Sequence, residues 1–161
     1  MANTKKIKPV VLGLGNLLFQ DEGIGIHAID KLKKNGSLAG KAELIDGGTA
    51  GLMMLGLVEN ASRLIIVDAI DGNLAPGTIQ RLEGAEVSIY ASQKLYSHQM
   101  GFQEILDMAA ERGKLPELIV LFGVQPASMN WSPSLSPVVS AVMPELMKQI
   151  IEQVEQWLLQ E

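Results

Sequence analysis

Short aliphatic runs of strand length alternate along this sequence with longer segments of helical character. Most of the runs show little alternation of apolar and polar residues, which is typical of strands buried on both faces of a parallel sheet. The run Thr78–Leu82 does alternate, and it therefore predicts an edge strand that could run antiparallel to its neighbour. The five predicted strands are Pro9–Gly13, Ala42–Ile45, Leu64–Val67, Thr78–Leu82 and Leu118–Gly123.

The segments between most of these runs have features of helices. Gly36 and Gly113 are predicted to close two of them as C-caps, and Pro144 is expected to kink the last helix or to mark a fresh start. Alternating strands and helices with no linker or repeat predict one α/β domain over residues 1–161, with a twisted, mostly parallel five-stranded sheet between two helical layers. The helical segments are residues 21–36, 49–60, 98–113 and 136–161.

Composition excludes several classes of function. The net charge of -5 comes with scattered lysines and arginines, so no nucleic-acid partner is expected. No stretch reaches the roughly 18 consecutive apolar residues of a membrane span. The absence of cysteine excludes disulfides, thiolate metal sites and cysteine nucleophiles. We therefore expect a cytoplasmic protein without a membrane partner, and a monomer.

The stretch "VVLGLGNLLFQDEGIG" has the outline of a nucleotide-binding turn but differs from it in two ways. Gly13 and Gly15 fit the dinucleotide fingerprint, whereas its third glycine position is occupied by Leu18. The paired acids Asp21 and Glu22 would repel a phosphate, although they suit the positive end of a helix dipole. This loop therefore indicates a cation site or a helix cap.

Three predicted strands deliver carboxylates to the same edge of the sheet, where α/β proteins bind their ligands. These are Glu22 after the first strand, Asp46 after the second and Asp68 after the third. Structural roles compete with this interpretation: Asp21 would be a helix N-cap, Glu22 a dipole partner and Asp46 a turn residue. Asp68 follows a buried aliphatic run, where an unpaired carboxylate is costly, so it needs a compensating partner.

The chain has two histidines, of which His98 is the better candidate ligand. His27 lies about 140° around the predicted helix from Glu22, so these two side chains do not share a face. His98 precedes a helix, and such a loop position suits a ligand or a base. Oxygen and nitrogen donors together would suit a divalent ion of the Zn, Ni, Mn or Fe type. Ser97 is a weaker nucleophile candidate because no G-x-S-x-G elbow is present.

Six blocks of sequence resemble the hydrogenase maturation endopeptidases, and they occur in the same order as in that family. The first block is highly specific, because a GN pair followed by DEGxG after a strand is rare elsewhere. The other blocks are weaker individually, and together they extend the resemblance over nearly the whole chain. The blocks are "GLGNLLFQDEGIGIHAIDKL", "DGGTAG", "LIIVDAID", "SHQMGFQEIL", "LFGVQP" and "LSPVVSAVMP".

This resemblance implies a function and a set of site residues. The family trims the C-terminus of the large-subunit precursor of nickel-iron hydrogenases after nickel insertion, and that precursor is the expected partner. The family's metal ligands, which are also the expected catalytic residues, correspond to Glu22, Asp68 and His98. The nickel would arrive with the substrate, and another divalent ion such as zinc is an alternative. Gln125 is interpreted as an ordinary variation on the family pattern.

The resemblance leaves the bond-breaking step open. We expect attack by water, with Glu22 or Asp68 as general base and with the ion polarising the carbonyl or the water. Asp21 would cap the helix, or it would orient the metal ligands without itself binding the ion. Three other functions compete: a nickel-sensing or nickel-carrying accessory protein without peptidase activity, a hydrolase of this architecture acting on another peptide, and a nucleotide-binding domain.

Overall fold

A five-stranded sheet forms the centre of the protein, as seen in a computed structural model that describes residues 8–48, 51–93 and 102–160. The strand order is β2-β1-β3-β5-β4, and all neighbours are parallel except β4, which runs antiparallel to β5. This arrangement confirms the predicted sheet and the predicted edge strand. The strands are β1 Val10–Leu14, β2 Glu43–Gly48, β3 Arg63–Ala69, β4 Ile79–Glu83 and β5 Leu118–Val124.

Helices cover both faces of the sheet. Along β1 and β3, odd-numbered residues such as Val11 and Ile65 pack with α1 and α5, whereas even-numbered residues such as Leu12 and Ile66 pack with α2 and α4. This alternation follows from the pleat of a strand, and it confirms the predicted three layers. The helices are α1 Ile24–Asn35, α2 Met54–Asn60, α3 Ala85–Gln93, α4 Phe102–Glu111 and α5 Pro137–Leu159, with 3₁₀ turns at Gln20–Gly23 and Gly51–Met53.

Two features of the helices differ from the sequence prediction. Helix α3 lies in a segment for which the sequence predicts no helix, and Val87 is its one buried residue among those whose burial the structure describes. With so little buried surface, α3 has no apolar stripe for sequence analysis to detect. Helix α5 continues through Pro144 without a break, so the predicted fresh start is wrong. The predicted C-cap at Gly36 is confirmed.

The strand order fixes where a ligand can bind. Strand β1 lies between β2 and β3, so the chain leaves the carboxyl end of β1 toward one side of the sheet and later returns on its other side. Such a switch point opens a crevice between the two neighbouring strand ends. Here these ends belong to β1 and β3. Within the described segments, no helix is both long and apolar enough to cross a membrane.

Candidate functional site

The 3₁₀ turn Gln20–Gly23, here called the acidic turn, follows β1 and carries Glu22. Gly15, at φ 128°, allows this turn to fold back closely on the end of β1. A Cβ atom at Gly15 would lie 1.9 Å from the carbonyl oxygen of Glu22, so only glycine fits. The backbone thus holds Glu22 at the carboxyl end of β1, with its side chain half-buried.

Asp68 lies inside β3, one residue before its end, and not after the strand as predicted. Its side chain is 3% exposed, and its Oδ1 accepts a 2.8 Å hydrogen bond from the backbone N–H of Ala69. Because side chains alternate along a strand, Asp68 points to the face covered by α2 and α4. The expected burial is confirmed, and the carboxylate is held at the switch point.

The acidic turn and β3 are in contact, so the segments that carry Glu22 and Asp68 meet. Gly25 lies at this junction, where a Cβ atom would be 2.2 Å from the carbonyl oxygen of Val67 and 2.4 Å from that of Leu14. The close approach brings the start of α1 against both strand ends. His98 lies outside the described residues, and within them no group of three acidic or histidine side chains could hold a metal ion.

Asp21 has a role that differs from the predicted helix cap. The N-cap of α1 is Gly23, and no side chain caps that helix. The Asp21 carboxylate is 1% exposed and accepts four hydrogen bonds from the loop between β5 and α5. The donors are the N–H groups of Ala127 (2.9 Å), Ser128 (3.0 Å) and Ser136 (2.8 Å) and the Ser136 hydroxyl (2.7 Å). These donors satisfy a buried carboxylate and fasten the loop to the residue beside Glu22.

Comparison with known proteins decides the family. The family model described as HycI, hydrogenase maturation protease, matches residues 26–153. The chain belongs to the hydrogenase maturation proteases. In the solved structure of the hydrogenase maturating endopeptidase HybD from Escherichia coli, the fold is similar with a TM-score of 0.84 and 33% identity, over 92% of this chain and 93% of HybD.

The curated relatives that this chain matches differ in length. The hydrogenase expression/formation protein HupD of Thiocapsa roseopersicina is 41% identical over 122 residues, which are 75% of this chain and 55% of HupD. The chain therefore spans little more than half of HupD. The hydrogenase 2 maturation protease of Escherichia coli strain K12 is 39% identical over 121 residues, which are 74% of each chain.

Gln125 has a structural role in this protein, and its interpretation as an ordinary variation on the family pattern stays a prediction. Its buried Oε1 accepts hydrogen bonds from the N–H groups of Gly72 (2.8 Å) and Leu74 (3.2 Å), and its Nε2 donates to Oδ1 of Asp71 (3.1 Å). One side chain at the end of β5 thus orders the loop that follows β3. Sequence analysis could not detect this role, because the bonded residues are more than 50 positions apart.

The hydrogen bond from Gln125 lowers the pKa of Asp71, and a second bond from the backbone N–H of Asn73 acts in the same direction. A carboxyl group whose pKa is lower in the folded state stabilises that state above its unfolded pKa. This contribution is lost as the pH falls through the lowered pKa. The loop after β3 is therefore held most firmly at neutral pH.

The other two candidate residues, Asp46 and His27, lie in β2 and α1. Asp46 was interpreted as a turn residue, but it lies within β2, opposite Gly13 of β1, and it is exposed. Strand β2 continues to Gly48, so the glycine pair extends the strand. His27 lies on α1, and its Nε2 is buried without a hydrogen-bond partner among the described residues.

Proposed function

We propose that this protein is an endopeptidase that removes a C-terminal peptide from the precursor of a nickel-iron hydrogenase large subunit, after nickel has been inserted. Membership of the maturation proteases supports the reaction class. The observation that carries the proposal is the meeting of the acidic turn with the end of β3, which brings the segments of Glu22 and Asp68 to one switch point. A protease needs a fixed polar site at such an accessible edge.

Glu22, Asp68 and His98 form the proposed site. Helix α4 leads into β5, so it begins at the carboxyl edge of the parallel strands, and it packs on the face to which Asp68 points. His98 precedes the first residue of α4, Phe102, by four positions. The chain length thus allows an imidazole to join the two carboxylates. Two oxygen donors and one nitrogen donor suit nickel or zinc and leave coordination positions for the substrate.

The nickel ion is part of the substrate in this proposal. A site with three protein ligands can bind an ion that the precursor already holds, so an immature subunit without nickel would not be cleaved. Glu22 is half-buried and can reach an ion presented from outside, whereas Asp68 is buried and held by the N–H of Ala69. The two carboxylates therefore differ in exposure, with Asp68 the more deeply buried ligand.

Peptide hydrolysis at this site would use water as the nucleophile. A carboxylate removes a proton from the water as it attacks the carbonyl carbon, and the same proton then passes to the leaving nitrogen. The substrate's nickel ion polarises the carbonyl or the water and stabilises the negative charge that develops. Glu22 or Asp68 would act as this base, and Glu22 is the more exposed of the two.

Intact mass spectrometry of a candidate precursor tests the function. The precursor, with or without nickel, is incubated with the protein, and we expect the loss of a C-terminal peptide in the nickel-loaded sample alone. Equal cleavage of both samples would refute nickel recognition. Metal binding with no change in the mass of the precursor would instead support the accessory-protein alternative.

A further inference from the structure

Trp131, in the loop between β5 and α5, is 75% exposed. One side of its indole contacts the ring of Phe19, with centroids 4.8 Å apart and planes tilted by 49°. A large aromatic side chain this exposed leaves much apolar surface in water, where its solvation is unfavourable. Trp131 therefore belongs to the class of surface residue that often marks a binding site.

The backbone around Trp131 is held in place by hydrogen bonds to the segment before the acidic turn. The N–H of Gln20 donates to the carbonyl oxygen of Ser132 (2.9 Å), and the N–H of Ser132 donates to that of Leu18 (3.0 Å). Phe19 and Ser132 form a parallel bridge between the two segments. With the Asp21 contacts from the same loop, these bonds hold the backbone that carries Trp131 before any partner arrives. Such pre-organisation lowers the entropic cost of binding.

Further exposed apolar side chains lie in the same two loops as Phe19 and Trp131. Leu17 and Leu18 precede the acidic turn, Met129 lies two residues before Trp131, and all three are exposed. We call Leu17, Leu18, Met129 and Trp131 the apolar rim. Its residues lie in the loops that follow β1 and β5, at the same sheet edge as Glu22. The apolar rim therefore lies at the same edge of the sheet as the proposed substrate site.

We propose that the apolar rim docks apolar side chains on the folded large-subunit precursor, beside its cleavage site, with Trp131 as the anchor that determines specificity. This inference rests on the proposed function for the identity of the partner. The site residues recognise an ion and a peptide bond, which many proteins share. The apolar rim adds a contact that only a precursor with a complementary apolar surface can make. The protein thereby distinguishes one hydrogenase precursor from another.

Surface plasmon resonance with the nickel-free precursor tests docking without cleavage. We expect wild type to bind, Trp131→Ala to weaken the affinity by about tenfold or more, and Trp131→Phe to recover most of it. The control Leu159→Ala removes an exposed apolar side chain at the opposite edge of the sheet, near the start of β3, and should leave Kd unchanged. With the nickel-loaded precursor, Trp131→Ala should raise KM and leave kcat unchanged.

Three outcomes would overturn the docking proposal. The first is an unchanged Kd in Trp131→Ala, and the second is no binding by wild type. The third is a change confined to self-association of this protein in analytical ultracentrifugation, which would assign the rim to a second copy. A wild-type protein that binds the precursor through Trp131 but never cuts the nickel-loaded form would count against the proposed function and leave the docking surface in place.

Discussion

Asp68→Asn is expected to lower the rate of precursor processing by about 100-fold or more, because it removes the buried carboxylate of the proposed site. Asparagine has nearly the same shape as aspartate, and its carbonyl oxygen can still accept the hydrogen bond from Ala69. Glu22→Gln, at a half-buried position, should cause a loss of similar size. Rates are measured from the fraction of nickel-loaded precursor shortened over time.

Asp30→Asn is the matched control for these variants. Asp30 is exposed on α1 and pairs with Lys34 at 2.8 Å, and such a surface ion pair contributes little to stability. This control should process the precursor at the wild-type rate, and circular dichroism should show that all three variants are folded. Wild-type processing by both Asp68→Asn and Glu22→Gln would refute the assignment of these residues.

Gly25→Ala is expected to destabilise the protein by about 3 kcal/mol or more, or to prevent folding. Its Cβ atom would lie 2.2 Å from the oxygen of Val67 and 2.4 Å from that of Leu14, and both atoms belong to backbone in buried strands. Leu14 pairs with Gly48 of β2 and Val67 with Gly13 of β1, so a shift of either backbone would disturb the sheet. Urea denaturation followed by circular dichroism measures the change in the free energy of unfolding.

Gly56→Ala provides the comparison for the same chemical change. Gly56 lies in α2, and no atom among the described residues lies within 4 Å of a Cβ atom placed there. Alanine favours a helix over glycine, so this variant should be more stable by up to about 1 kcal/mol. A Gly25→Ala protein as stable as Gly56→Ala would show that α1 does not approach the strand ends this closely.

The strands and most of the helices of this protein can be predicted from its sequence, because they depend on local patterns of apolar residues. Aliphatic runs gave every strand to within three residues, and the alternating pattern of residues 78–82 correctly indicated the edge strand β4. The boundaries that shifted most are those of β2, whose glycine pair lies within the strand. Helix α3 was missed because a helix with little buried surface carries no apolar period.

The hydrogen bonds that hold the candidate site in place could not be predicted in the same way. Asp21 binds Ala127 and Ser136, which are 106 and 115 positions away, and no local pattern encodes such contacts. The strand-end rule did direct attention to Glu22 and Asp68, because the order of strands determines which loops share an edge. The sequence gives no sign of a role for Trp131, because its exposure is visible only in three dimensions.

Anomalous diffraction from a crystal of this protein soaked with nickel or zinc tests the proposed metal site directly. We expect one ion bound jointly by the carboxylates of Glu22 and Asp68 and the imidazole of His98, with about 2.0–2.4 Å between the ion and each ligand atom. An ion held elsewhere, with these three side chains directed to separate places, would contradict this expectation.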